Sequence, residues 1–376
     1  MKMKRRDFIK STAIASMGML LSSCSNYIRL PINKWRDNNS NATLWQKIFF
    51  YASLAPSGHN TQPWIVELNN KDEFIIKIRE ESLLPAVDPV RRETYLSIGA
   101  FLENLIISAR SFGVDLEYEV ISKSTLETDV IFGKFSKSSI KENNLYSIAK
   151  RRTIKSNYLN KEVSKADIDS CFFKNIKASY YPTGSTNANI LNEATYLANE
   201  TQVNRKATQI ELSKWIRWSN KEAKKKRDGI TPASMEINGL SGFFVRTFYN
   251  EKNVISKSFK KQTLKKVKEQ LKQHGGWVVI SSLNSNPKEL IETGRTFEQF
   301  LLKASTKNIA IHPMTQVLEE LPFKNEIASD LGISQIPQFF LRIGYLNRIY
   351  PTPVSLRRPV DSFLKTENFI QSKSTP

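Results

Sequence analysis

The sequence predicts an α+β fold, helices packed on a sheet in a three-layer α/β/α arrangement, and three observations carry that reading. Short apolar runs at Trp64–Leu68, Phe74–Ile78, Trp277–Ser281 and Phe339–Gly344 have the length and β-branched or aromatic content of strands. Longer segments at Leu44–Ala55, Ser97–Phe112, Asn187–Lys224 (with room for a break) and Leu264–Gln273 carry helical spacing. One helix is also written twice. Gly99–Val114 aligns without gaps to Gly294–Ile309, so that Gly99 answers to Gly294, Glu103 to Glu298 and Ala109 to Ala304. Leu102, Leu105, Ile106 and Ala109 make one buried stripe, and Phe297, Phe300, Leu301 and Ala304 make the other. Each copy opens on a glycine, where two backbones can approach closely. The match predicts an old duplication and two halves in one chain.

The chain starts with Lys4-Arg5-Arg6-Asp7-Phe8-Ile9-Lys10, a twin-arginine export pattern, and continues through the short apolar run Ala13–Leu21. That run is too short to span a bilayer. Leu21-Ser22-Ser23-Cys24 reads as a lipoprotein-processing box, with lipid on the Cys24 thiol. Residues 1–23 are therefore expected to be a signal for the twin-arginine export machinery, and the mature protein to be a membrane-anchored periplasmic lipoprotein. Residues 24–41 are polar and weakly patterned, as a tether is.

Beyond the leader roughly 350 residues remain, enough for a sizeable core. Hydrophobic content of 40% with 10% aromatics is globular. With Cys24 lipidated, Cys171 has no partner, so no intrachain disulfide is expected. The formal charge is +20, concentrated in the leader, in Lys224-Lys225-Lys226-Arg227, and in Lys260, Lys261, Lys265, Lys266, Lys268 and Lys272. No nucleic-acid motif accompanies it. A lysine-solvated helix face near anionic lipid is the better reading.

Glycine-rich nucleotide loops are missing, and His59, His274 and His312 are too scattered for zinc, so no metal is expected. Ser57 and His59 share one short loop with no nucleophile elbow around them, which argues against a catalytic triad and leaves acyl transfer a weak option. The loop itself, Ala55-Pro56-Ser57-Gly58-His59-Asn60-Thr61-Gln62-Pro63-Trp64, cannot continue a helix. Pro63 biases Gln62 toward extended geometry, and the turn should present backbone N–H groups with Ser57, Asn60 and Gln62 to something polar. Arg151-Arg152-Thr153-Ile154-Lys155, after the helical stretch Leu145–Lys150, combines forked donors with a hydroxyl, as phosphate binding requires. Arg357-Arg358-Pro359 is a second basic pair.

Taken together these segments resemble the nitroreductase-like flavoproteins. Pro56, Ser57, Asn60, Gln62, Pro63 and Trp64 match that superfamily's P-S-x-x-N-x-Q-P-W loop, with Gly58 inside it, and Arg151, Thr153 and Lys155 match its R-x-[ST]-x-[RK] motif. Ile311-His312-Pro313-Met314-Thr315 matches the loop bordering the flavin ring, and Arg227-Asp228-Gly229-Ile230 the R-D-G-[LI] segment of the Acg-type subfamily, whose members are dimers fused into one chain. The resemblance implies FMN, held at its phosphate by Arg151, Arg152, Thr153, Lys155, Arg357 and Arg358. Its ring would lie against Pro56–Asn60 and Gln62 on one side and Pro313, Met314 and Thr315 on the other. It implies a first half over residues 42–140, a second over 141–376, a lid within 200–270, and a monomer acting as an internal pseudo-dimer. Residues 26–54 hold no second phosphate motif, so one FMN per chain is expected.

The activity implied is an exported oxidoreductase that reduces nitro or quinone compounds through flavin N5, with the chemistry carried by the flavin and no protein nucleophile. Scarce NAD(P)H in the periplasm favours an alternative, an FMN-sequestering protein without turnover. A third reading is a lipid-anchored surface-binding module without cofactor.

Overall fold

The computed structural model describes residues 42–138, 144–172, 177–237 and 239–366. The expected leader, Cys24 and the tether all lie outside the described residues. Within them the fold is α+β, as the sequence predicts.

The first part opens on α1 (Leu44–Ala52), started by a reciprocal capping box between Thr43 and Gln46. It continues through β1 (Trp64–Leu68), β2 (Glu73–Ile78), α2 (Arg92–Ser111), β3 (Val114–Val120) and β4 (Asp129–Lys137). Then come α3 (Leu145–Lys150), α4 (Lys165–Cys171), β5 (Ala178–Pro182), α5 (Thr186–Asn204), α6 (Lys206–Trp215) and α7 (Asn220–Lys226). The remainder is α8 (Gly239–Phe248), α9 (Glu251–Val254), α10 (Lys257–Leu271), β6 (Gly276–Ser282), α11 (Pro287–Thr306), β7 (Ile309–Pro313), α12 (Phe323–Asp330), β8 (Ile336–Tyr345) and β9 (Leu364–Thr366).

Two sheets result, one ordered β3-β4-β2-β1-β9 and one ordered β5-β6-β8-β7. All neighbours are antiparallel except β1 and β9. β1 alternates buried and half-buried residues, the signature of a sheet with one covered face. β6 is buried at every position, because its sheet is covered on both faces. Val278 and Ile280 join the core of α2 and α11, while Trp277 and Val279 join a second core under α5, α10 and α12. The second sheet is thus the middle of an α/β/α sandwich, and the first sheet covers the outer side of the α2–α11 pair.

The two copies of the repeated helix pack on each other. A Cβ on Gly99 would stand 2.2 Å from Ile291 O, and one on Gly294 would stand 2.1 Å from Leu96 O. The paired glycines therefore set the separation of the helices. One turn further on, Glu103 accepts from Gln299 at 2.9 Å and pairs with Arg295 at 3.0 Å. In the mirrored position Glu298 faces Asn104 without closing a well-formed hydrogen bond, and pairs with Arg151 at 3.2 Å.

The long segment expected as one broken helix divides into α5, α6 and α7, with the first break at Arg205, whose backbone is extended. No helix among the described residues is long and apolar enough to cross a membrane.

Candidate functional site

The turn after α1 folds tightly because its hydrogen bonds close on themselves. Asn60 N donates to Ser57 O at 2.9 Å, Thr61 N to Gly58 O at 2.9 Å, and Gln62 N to Ser57 Oγ at 3.0 Å. His59, Asn60 and Gln62 adopt φ of 50°, 55° and 52°, an uncommon run for side chains other than glycine. The extended geometry expected of Gln62 is therefore corrected: the residue is left-handed. Its amide holds it there, donating to Arg227 O at 3.0 Å and accepting from Arg358 N at 2.8 Å.

Segments from distant parts of the chain brace this turn. Asn60 Nδ2 donates to Gly229 O at 3.2 Å and to Leu356 O at 3.1 Å, and Gly229 N returns a bond to Asn60 O at 3.1 Å. Arg357 donates to Ser53 O (2.6 Å), Leu54 O (3.0 Å), Ala55 O (3.1 Å) and Asn60 Oδ1 (3.0 Å). Arg358 donates to Thr61 O at 2.6 Å and pairs with Asp228, which also binds Arg217 at 2.7 Å. With its carbonyls so occupied, the turn leaves the amides of Ser57, Gly58 and His59 without an acceptor among the described residues.

The same three residues border a cavity of about 570 Å³. Its wall takes in Pro56, Ser57, Gly58 and Asn60, the motif residues Arg151, Arg152, Thr153 and Lys155, and Pro313, Thr315, Arg357 and Arg358. Every residue singled out as cofactor-binding in the sequence is there except two. Gln62 is 1% exposed and spent on Arg227 and Arg358, so it builds the turn from behind. Met314 is 2% exposed, and its apolar side chain joins Val317 and Leu318 in the second core. Arg227, Gly229, Ile230 and Ser234 add a flap over the turn, and Phe297 and Phe339, stacked at 4.0 Å, add an apolar surface.

The charges are unevenly compensated. Arg151 is matched by Glu298, Arg358 by Asp228, and Arg152 faces Glu236 at 3.7 Å. Arg357 meets carbonyls and one amide oxygen but no acid, and burial, with Arg151 beside it, pushes its guanidinium down to about 9. Lys155 Nζ makes no ion pair or hydrogen bond among the described residues, and burial lowers its pKa against the pull of Glu236. Both features describe cations short of counter-charge.

A second group of residues, which the sequence did not single out, is acidic. Thr315 Oγ1 lies 3.2 Å from Glu93 Oε1 and 3.3 Å from Glu319 Oε1. One hydroxyl proton serves one carboxylate, so the other contact becomes a hydrogen bond only when that carboxyl carries a proton. Burial first, then the Glu93 charge, holds Glu319 well above the usual carboxylate range. His59, at the same wall, is pushed down to about 4 by burial and is neutral. Glu298 did carry a sequence signal: it aligns with Glu103 in the repeat, beside the apolar stripe. Glu93 and Glu319 carried none, because their meeting depends on the distance between α2 and the turn after β7.

Gly229 fixes the flap. Its φ is 73°, and a Cβ there would lie 2.3 Å from Trp215 O. Gly229→Ala should displace the flap and destabilise the protein by about 1–3 kcal/mol. Limited proteolysis within residues 205–237 checks it; an unchanged cleavage rate would show that the flap tolerates the methyl.

No known family's sequence profile matches the chain, and no curated protein matches its sequence. Among solved structures it is similar to a putative nitroreductase from Anabaena variabilis, at 8% identity and a TM-score of 0.43, over 81% of this chain and 88% of that one. It is also similar to the FMN-dependent nitroreductase NfnB from Mycobacterium smegmatis, solved in complex with NADPH, at 12% identity and a TM-score of 0.33 over 56% of this chain and 93% of that one. A nitroreductase-like protein from Bacillus cereus gives 11% identity and a TM-score of 0.33, over 60% and 95%.

Proposed function

We propose that the cavity binds FMN and that the chain is an exported oxidoreductase of the nitroreductase-like kind, acting on electron-poor nitro or quinone compounds. The observation that carries this reading is that one cavity is lined both by two cations short of counter-charge and by three residues whose amides lack an acceptor among the described residues. A phosphate monoester is close to a dianion at neutral pH, balanced by the charge of Arg357, whose N–H groups are spent on the turn, and by Lys155, whose ammonium is free to donate. The residues present fit the rest of the group: the Thr153 hydroxyl adds a phosphate donor, and the Phe297–Phe339 surface suits a flat ring. FMN, when bound, supplies the hydride. The chain's own groups do the remainder. Ser57, Gly58 and His59 offer N–H donors to acceptor atoms on the ring edge. Glu319 holds a proton at the cavity wall, and the Arg227–Ser234 flap excludes water.

The same reading takes the α2–α11 pair as the junction of two fused halves, and the leader and Cys24 as export signal and lipid anchor. Purified protein should release FMN on denaturation. Lys155→Ala should weaken FMN binding about tenfold to a hundredfold, the worth of one charge-assisted contact, as read by flavin fluorescence quenching. Wild-type protein that takes up no FMN, or a Lys155→Ala variant with unchanged affinity, would refute it.

A sequestering role without turnover is favoured by one feature, the bonds that knit the flap to the turn through Asn60, Gln62, Arg227 and Gly229. Dithionite-reduced holoprotein that passes no electrons to any quinone or nitroaromatic would select it.

A further inference from the structure

Away from the cavity, one surface sets aromatic rings in solvent beside dense positive charge. On α8, Phe244 and Phe248 are 51% and 63% exposed, with ring centroids 5.7 Å apart, and Phe243 stands edge-on to Phe244 at 6.0 Å. Spacing of four residues places both exposed rings on one side of the helix. The inner side is anchored: Val245 and the following Tyr249 pack with Phe259 of α10 around Trp218. The ridge is therefore held outward by a packed underside. Ile255, just after α9, is also exposed, at 43%. α10, whose Phe259 packs in the same cluster as Val245 and Tyr249, carries Lys257, Lys260, Lys261, Lys265, Lys266 and Lys268 against the single acid Glu269, and α7 ends in exposed Lys224, Lys225 and Lys226.

Lysine solvation accounts for the charge but leaves the phenylalanine ridge uncovered. A second copy would bring two lysine-rich faces together, which like-charge repulsion opposes. An anionic bilayer matches both parts, since rings enter the headgroup boundary while lysines meet lipid phosphates. We propose that the face formed by the Phe244–Phe248 ridge and the α10 lysines lies on an anionic phospholipid surface. This does not depend on the flavin reading.

The test uses the full chain carrying Cys24→Ser, so that no lipid anchor contributes, and Phe248→Cys labelled with an environment-sensitive fluorophore; Cys171, the other thiol, is buried. The label should shift to the blue on vesicles of phosphatidylcholine mixed with phosphatidylglycerol and stay unshifted on phosphatidylcholine alone. In sedimentation with the mixed vesicles, Phe244→Ser with Phe248→Ser should lower the partition coefficient about tenfold. Lys257→Glu, Lys261→Glu and Lys265→Glu together should do the same, as should raised salt. All these side chains are on the surface, so the variants should keep the wild-type circular dichroism. No blue shift on the mixed vesicles, equal partition by the phenylalanine variant, or light scattering showing a dimer that this variant dissociates would each overturn the proposal.

Discussion

Gly294→Ala is expected to cost about 3 kcal/mol or more of folding stability, a large share of what a natural domain has. The new methyl would sit 2.1 Å from Leu96 O and 3.0 Å from Gly99 Cα. Both obstacles are backbone of the facing helix, so no rotamer change relieves the clash. The helices must separate, and their separation spreads into the core that α2 and α11 share with both sheets. Urea denaturation of the variant beside wild type measures it. A loss under about 1 kcal/mol would mean that the pair adjusts its spacing freely, and that the glycines are not what sets it.

Arg151→Ala is expected to be as damaging, for an electrostatic reason. Glu298 is completely buried, and removing its partner at 3.2 Å leaves its ionised form unpaired in the core, a loss that grows with pH toward about 3–5 kcal/mol where the carboxyl would be charged. The pH dependence identifies the cause. Burial, opposed by Arg151, pushes Glu298 up from 4.5 to about 7. A carboxyl raised in the folded state favours folding while protonated, so its contribution is full at acid pH. That contribution is lost as pH rises from 4.5 through 7, by about 3 kcal/mol. Without Arg151 the carboxyl rises further and the loss continues to higher pH. Glu298→Gln should flatten this limb, and the double variant should be less destabilised than the two single losses summed. On the acid side the sign reverses. His59 and His274, pushed down from 6.5 to about 4 by burial, contribute stability above 6.5 that is lost as pH falls through 4. Denaturation at a series of pH values separates the two limbs, and an Arg151→Ala curve parallel to wild type would refute the assignment to Glu298.

How much of this was legible in the sequence depends on whether the signal was local. The glycines of the repeat marked the contact between α2 and α11, and β1, β2, β6 and β8 announced themselves as apolar runs. β3 and β4 did not, because one face of their sheet stays partly in water and their charged residues hide the pattern. β9 is three residues long and exists only through parallel pairing with β1. At the site, the motif residues converge, yet the sequence treats Arg151, Arg152, Arg357 and Arg358 as equivalent cations. The fold makes them unequal, since Glu298, Asp228 and Glu236 neutralise three and Arg357 is left with neutral oxygens. Which arginine receives an acid is decided by packing between segments far apart in the chain.

That separation along the chain bears on when the cavity comes into being. Arg357 reaches back across 302 to 304 positions to the carbonyls of Ser53, Leu54 and Ala55, and β9 closes on β1 only at residues 364–366. A nascent chain that has emerged as far as β8 already holds both repeated helices and the whole second sheet. It still lacks the guanidinium groups that shape the turn at Ser57–Gln62. On the proposed function, ligand capture is a late event in biosynthesis, and a nascent chain that has emerged only as far as β8 should display a folded body with no binding capacity.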